Sequence, residues 1–260
     1  MNHRPRKRFG QNFLHDQNII HQIINHISPQ LSDHIVEIGP GQGAITSSLV
    51  ASAGKIDVIE LDRDLIPRLE QKFSSVEQLT IHQADALKFD FCQLTENKIR
   101  VVGNLPYNIS TPLLFHLMNQ SNCITDMHFM LQKEVVDRIT ASPGTKQYGR
   151  LTIMLNYYCQ SEKLMTIGPG AFNPPPKVDS AIIRLIPHST PPVQIHDLDL
   201  FSEIITQAFS QRRKTIRNSV KSWLDQSQIE SLSIDPGLRP EQLNLNQFAD
   251  LANAAQKNRK

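Results

Sequence analysis

The sequence predicts an α/β protein, a doubly wound parallel sheet followed by a small all-helical domain. Three observations predict it. Short apolar runs of strand length alternate with stretches of helical periodicity through most of the chain. A glycine-rich turn, Gly39-Pro40-Gly41-Gln42-Gly43-Ala44, joins the first of those runs to the next helix. Beyond the proline-rich stretch from Pro187 to Pro192 the pattern is helical to the end, with no convincing strand. Domains 1–189 and 190–260 are therefore expected.

Gln11-Asn12-Phe13-Leu14 precedes an amphipathic helix with Ile19, Ile20, Ile23, Ile24 and Ile27 at helical spacing. The first strand, His34 to Gly39, runs into the glycine-rich turn and a helix from Ile45 to Ser52. A second strand, Lys55 to Leu61, carries Glu60 near its end, and a third, Leu79 to Ala84, leads into Asp85. The fourth, Lys98 to Gly103, reads as a buried parallel strand and ends on Asn104-Leu105-Pro106-Tyr107. After it, Ser110-Thr111-Pro112 opens a helix with a capping hydroxyl and a proline in the first turn.

Cys123 to Leu131 is the fifth strand, followed by a helix from Lys133 to Thr140, a loop from Ser142 to Gly149, and a helix from Leu151 to Tyr158. Glu162 to Ile167 and Ala181 to Ile186 read as further strands, separated by the stiff segment Phe172-Asn173-Pro174-Pro175-Pro176. If 203–223 is one helix, Ile205, Phe209, Ile216, Val220 and Trp223 form an apolar stripe. Arg213, Arg217 and Lys221 then lie beside it.

Composition narrows the function class. At 260 residues, 39% hydrophobic and 20% charged, the chain reads as a soluble globular protein. No run reaches the roughly 18 apolar residues a membrane span requires. The basic stretch Met1 to Gly10 lacks the apolar core of a secretory signal. Cys92, Cys123 and Cys159 are widely spaced with no CxxC pair, so neither a disulfide framework nor a metal site is expected, and the cytoplasm is the expected compartment. Net charge is only +2, yet Arg4, Arg6, Lys7 and Arg8 cluster early and Arg212, Arg213, Lys214 and Arg217 late. Two basic segments on a nearly neutral chain suit a polyanion.

The strand ends carry the chemistry. Open α/β sheets bind ligands at the carboxyl ends of their strands. There Asn104 offers an amide oxygen, Pro106 a stiff backbone with a free carbonyl, and Tyr107 a flat face, a set that suits a planar base bearing an amino group. The glycine turn formally satisfies the dinucleotide pattern, but Pro40 removes a backbone donor from a pyrophosphate cradle. Glu37, Glu60 and Asp85 add carboxylates that favour a ligand with a ribose, an amine and positive charge but no phosphate. S-adenosylmethionine fits, with Glu60 on the ribose, Asp85 on the adenine amine and the Gly39 region at the amino-acid portion.

Four motifs, Gln11-Asn12-Phe13-Leu14, Glu37-Ile38-Gly39-Pro40-Gly41, NLPYNIS from Asn104 and FNPPPKVDSAIIRL from Phe172, resemble those of the ribosomal RNA adenine dimethyltransferase family. The run Arg212-Arg213-Lys214-Thr215-Ile216-Arg217-Asn218 is similar to its bacterial small-subunit branch. The resemblance implies a Rossmann-like class I methyltransferase domain and a helical RNA- and ribosome-recognition domain. It implies methyl-donor contacts at Asn12, Leu14, Gly39, Glu60, Asp85 and Asn104, and a target-adenine site formed by Asn104, Pro106, Tyr107 and Phe172. Arg6, Lys7, Arg8, Arg212, Arg213, Lys214 and Arg217 are the candidate RNA contacts. The implied substrate is a pair of adjacent adenosines in the 3′-terminal hairpin loop of 16S ribosomal RNA. Each receives two methyl groups in a pre-30S particle from a monomeric, membrane-free enzyme. Rival readings are the related branch that methylates large-subunit RNA and confers antibiotic resistance, a non-catalytic assembly factor, and a nicotinamide oxidoreductase.

Overall fold

The computed structural model describes residues 12–258. Arg4, Arg6, Lys7, Arg8 and Gln11 lie outside the described residues. The chain forms two compact units, one reaching to Val136 and including Glu162–Pro187, the other made of Asp137–Ser161 and the chain from His188 onward.

The first unit is built on a seven-stranded sheet. Its strands are β2 (His34–Ile38), β3 (Lys55–Glu60), β4 (Leu79–Gln83), β5 (Ile99–Asn104), β6 (Ile124–Gln132), β7 (Cys159–Ile167) and β9 (Ser180–Pro187), in the order β4-β3-β2-β5-β6-β9-β7. A two-stranded sheet pairs β1 (Phe13–Leu14) with β8 (Phe172–Asn173). Neighbours from β4 through β6 are parallel, as the apolar runs predict. The expected all-parallel sheet is corrected at β9, which runs antiparallel to β6. Apolar content shows that a strand is buried but not its direction, which β9 takes from the neighbour it pairs with.

Helix α1 (Gln17–Ile27) forms where the isoleucine spacing places it. Asp16 caps its start by accepting from the Asn18 and Ile19 N–H groups at 2.9 and 3.2 Å, and Ser28 ends it in the left-handed region at φ 48°. Ile20, Ile23 and Ile27 enter one apolar cluster with Ile35, Val102 and Ile182 from the sheet. Each such side chain contributes roughly 1.5–3 kcal/mol on burial. Short helices α2 (Thr46–Leu49), α3 (Ile66–Lys72) and α4 (Ser110–Met118) follow β2, β3 and β5.

Arg100 ties this layer to the sheet. Its guanidinium donates to the Asp33 carboxylate at 2.7 Å, to Asp126 at 3.1 Å and to the Ile27 carbonyl at 2.6 Å. A single cation therefore closes the C-terminus of α1 and neutralises two carboxylates at the amino ends of the strands.

The cysteine expectation is corrected as well, because Cys92 and Cys123 form a disulfide. Each sits in a short 3₁₀ turn just ahead of β5 or β6, and these strands are parallel neighbours, so their entry turns meet. Gln120 joins the turns further, accepting from the Phe91 N–H at 2.6 Å and donating to the Phe89 carbonyl at 3.1 Å. A separation of 31 residues carries no local signal for that pairing. Cysteine spacing consequently says nothing here about the compartment. No helix among the described residues is long and apolar enough to cross a membrane.

Helix α5 (Lys133–Ile139) leads on from β6. The second unit contains α6 (Arg150–Tyr158), α7 (Leu198–Ser210), α8 (Ile216–Ser219), α9 (Gln226–Ser231) and α10 (Leu245–Asn258). Its core gathers Phe201, Ile204, Ile205, Phe248 and Leu251, with the rings of Phe209 and Phe248 5.8 Å apart. The single helix expected over 203–223 is not formed. α7 ends at Ser210, and Lys214 closes a turn by donating its N–H to the Gln211 carbonyl at 2.8 Å. α8 then starts afresh, the Ile216 and Arg217 N–H groups bonding to the carbonyls of Leu238 and Pro236. Consecutive cations from Arg212 to Lys214 offer nothing to bury at this point, and the chain turns.

Replacing Arg100 with Ala removes the cation that Asp33, Asp126 and the end of α1 share, leaving Asp126 only His128 at 3.5 Å and Asp33 the Gln30 N–H at 2.8 Å. It should destabilise the protein by about 3–5 kcal/mol in chemical denaturation.

Candidate active site

The parallel registers bring the carboxyl ends of β2, β3, β4 and β5 to one rim. Ile38 lies opposite Ile59 and Gly103, and Glu60 opposite Gln83. The strand order reverses between β2 and β5, so that rim opens into a crevice. A cavity of about 390 Å³ occupies it, and Asn12, Leu14, Gly39, Glu60, Asp85, Asn104, Pro106 and Tyr107 all line its wall. Gly103 is required where β5 approaches β2, since a Cβ there would stand 2.5 Å from the Ile38 carbonyl oxygen. Gly41, at φ +58°, turns the loop against the Phe13 ring.

The glycine turn has little to offer a phosphate. The Gly39 N–H donates to the Ile59 carbonyl at 2.9 Å and the Gly43 N–H to the Pro40 carbonyl at 2.8 Å. The Gly41 N–H goes to the Glu60 carboxylate at 3.2 Å, and Pro40 has none to give. Lys72 turns its ammonium onto the carbonyls of Gln42 and Gly43 at 3.0 Å each. The Gly39, Gly41 and Gly43 N–H groups are thus spent within the protein, while Glu60 and Asp85 line the cavity. The wall suits a cationic, ribose-bearing ligand.

Glu60 is held by two backbone donors, Gly41 and Asp62, the latter at 2.8 Å. Burial raises its pKa, and those two hydrogen bonds work against the rise. Glu37, wholly enclosed, is pushed up to about 7 by burial, against the Thr46 hydroxyl that donates to it at 2.5 Å and with the Glu60 charge adding to the rise. The Asp85 carboxylate accepts the Leu87 N–H at 3.0 Å, which fixes it at the rim beyond β4.

On the other wall, the Asn104 Nδ2 donates to the Asn12 carbonyl at 3.1 Å. That bond takes one of the two Nδ2 hydrogens and orients the amide, whose oxygen can accept from a ligand. The Pro106 carbonyl accepts the Ile109 N–H at 3.1 Å and keeps its second lone pair. Tyr107 shares a 2.9 Å hydrogen bond with the Ser180 hydroxyl. The expected Ser110 cap takes another form: Ser110 is the first residue of α4, and its hydroxyl donates to the Tyr107 carbonyl at 3.2 Å.

A family model described as Ribosomal RNA adenine dimethylase matches residues 2–257. The chain belongs to the ribosomal RNA adenine dimethylase family. Ribosomal RNA small subunit methyltransferase A of Pseudomonas aeruginosa is 56% identical over 96% of this chain and 94% of its own length. A dimethyladenosine transferase from Plasmodium falciparum superposes with a TM-score of 0.81 at 27% identity, covering 94% of this chain and 98% of its own. The 23S rRNA methyltransferase ErmE, at 23% identity and a TM-score of 0.75 over 94% of this chain and 100% of its own, shares the fold.

This member of the adenine dimethylase family brings its motifs together in a way spacing alone does not show. Phe13 pairs with Asn173 and Leu14 with Phe172 through β1 and β8, so the first and last motifs form one small sheet. Phe172 itself does not line the cavity. Its side chain is buried in the apolar cluster with Leu14, Ala171 and Ile182. Arg212, far along the chain, donates to the Lys146 and Tyr148 carbonyls at 3.0 and 2.6 Å and is exposed, as are Arg213, Lys214 and Arg217. Leu61, Ala86 and Ile109 also line the cavity and were not singled out from the sequence. Leu61 could have been, as an apolar residue just past an acidic strand end. It is 50% exposed.

The buried Glu37 gives the protein a pH dependence. The folded state keeps the Glu37 proton up to about pH 7, whereas the unfolded chain releases it near 4.5. Its contribution is therefore complete below pH 4.5 and lost as pH rises through 7. Stability should fall by up to ~1.4 kcal/mol per pH unit across that window, and Glu37→Gln should flatten the slope, as denaturation at several pH values would show.

Proposed function

We propose that this protein uses S-adenosylmethionine to dimethylate the exocyclic amine of two adjacent adenosines. These lie in the 3′-terminal hairpin loop of 16S ribosomal RNA within a pre-30S particle. Family membership supports the reaction class. The observation that carries the reading is that Glu60 and Asp85 line the same cavity as Asn104, Pro106 and Tyr107. Asn12, Leu14, Gly39, Glu60, Asp85 and Asn104 are the proposed methyl-donor contacts. When bound, S-adenosylmethionine supplies a methyl group on a positively charged sulfur, which leaves with the carbon–sulfur bonding pair.

The protein's task is then to hold a poor nucleophile in line. An adenine amine has its lone pair drawn into the ring. The Asn104 Oδ1 and the second lone pair of the Pro106 carbonyl can accept its two hydrogens, leaving the nitrogen lone pair aimed outward. The Tyr107 face can stack on the base, worth roughly 1–3 kcal/mol by comparison with single-strand binders. Phe172 would join it once RNA binding lifts that ring out of its cluster. The amine becomes strongly acidic as the new carbon–nitrogen bond forms, so its proton can pass to solvent without a strong base. Positioning is the main source of rate. A base in a hairpin loop is also cheaper to unstack than one in a duplex.

Exposed Arg213, Lys214 and Arg217, with Arg6, Lys7 and Arg8 at the start of the chain, are the proposed phosphate contacts. Arg212 would support them by fixing the turn. Residues 190–260 are proposed as the recognition domain of a monomeric cytoplasmic enzyme.

Asn104→Ala tests the clamp. Transfer of labelled methyl groups to unmethylated small subunits should fall by at least ~100-fold, and methyl-donor affinity by far less. Unchanged turnover would contradict the acceptor role.

A further inference from the structure

We infer that Ser180 is a positioning residue for methyl transfer, holding the Tyr107 ring in the attitude in which it receives the adenine. The inference rests on the reading of the site given above and adds a residue from outside the cavity wall.

Ser180 is the first residue of β9 and is 0% exposed. Its backbone stands opposite Gln132 at the end of β6, and the Lys133 N–H donates to the Asp179 carbonyl at 2.9 Å, so both sides of the residue are fixed. Its hydroxyl meets the Tyr107 hydroxyl at 2.9 Å. The sheet sets the distance this bond has to span. Met130 on β6 pairs with Asn104 on one side and with Ile182 on the other. The acceptor Asn104 and the anchor Ser180 thus belong to one ladder, separated by a register that cannot slip without turning side chains to the opposite face.

Tyr107 consequently has two fixed ends. Its backbone leaves β5 through the turn that follows Asn104, with the Leu105 N–H donating to the Met130 carbonyl at 3.1 Å. Its hydroxyl is tied to β9. A tyrosine at a cavity wall with a free hydroxyl would exchange rotamers, and each productive encounter would first have to select one. The Ser180 bond removes that search, so the ring face is already set beside the Asn104 amide when the base arrives. The cost of breaking the bond falls on Ser180, whose buried hydroxyl would then lack its partner.

The inference is tested with the full chain, unmethylated small ribosomal subunits and labelled S-adenosylmethionine. Four proteins are compared with wild type: Ser180→Ala, Tyr107→Phe, the double variant and Ser180→Thr. Steady-state kcat and KM are measured alongside methyl-donor affinity by calorimetry and the melting temperature. Ser180→Ala and Tyr107→Phe should each lower kcat by about tenfold with methyl-donor affinity nearly unchanged. The double variant should be no slower than the slower single one, because both remove the same bond. Ser180→Thr, which keeps a hydroxyl, should recover most of the rate. Wild-type kcat in Ser180→Ala overturns the inference, as do multiplied losses in the double variant or a parallel fall in methyl-donor affinity. Should Ser180→Ala melt early, Tyr107→Phe reads the same bond from the cavity side, and wild-type kcat there is equally contrary. A wild-type protein that transfers no methyl group overturns the functional reading instead, and the positioning role with it.

Discussion

Four parallel strands that end together are the constraint on which the site depends. β4, β3, β2 and β5 are joined in continuous register, so the residues after each strand meet without any loop having to travel. Gly39, Glu60, Asp85 and Asn104 come from widely separated stretches of sequence and reach one cavity for that reason. The Arg100 pairings hold the opposite end of the strands, while the cluster around α1 reaches the cavity itself through Leu14 and Ile45. A slip of one residue anywhere between β3 and β5 would turn each side chain to the opposite face of a sheet buried on both sides and dismantle the wall.

Charge then selects what the cavity accepts. Burial costs Glu37 and Glu60 their ordinary acidity, and the Thr46 hydroxyl and the loop N–H groups offset only part of that cost. Donors spent on Glu60 cannot also hold phosphate, so the same hydrogen bonds that keep the carboxylate in place argue against a dinucleotide. The opposite wall works by orientation. Asn104 gives its nitrogen to Asn12 and Tyr107 its hydroxyl to Ser180, which leaves an oxygen and a ring face for a base.

Much of this was legible in the sequence, because strand ends in parallel sheets have predictable uses. The apolar runs located β2 to β6, and the acidic residues at their ends identified the cavity wall. What could not be read there depends on distant pairing. The Cys92–Cys123 bond follows from adjacent strand entries separated by 31 residues. The direction of β9 is decided by its neighbours, and the turn after Ser210 by carbonyls at Pro236 and Leu238. Phe172 was readable as an aromatic on a stiff mount, but not as a ring packed beside Leu14 in the apolar cluster. Ser180 had no mark of its own in an apolar strand. Its use appears only when the register sets it beside Tyr107.

The central claim is that this cavity carries methyl groups to adenine amines. It is tested most directly by incubating the protein with methyl-labelled S-adenosylmethionine and small ribosomal subunits lacking the modification, then digesting the RNA and identifying the labelled nucleoside and its position. The account predicts N6,N6-dimethyladenosine at two adjacent positions of the 3′-terminal hairpin loop. Label on another nucleoside, on a single large-subunit adenosine, or on none would contradict it.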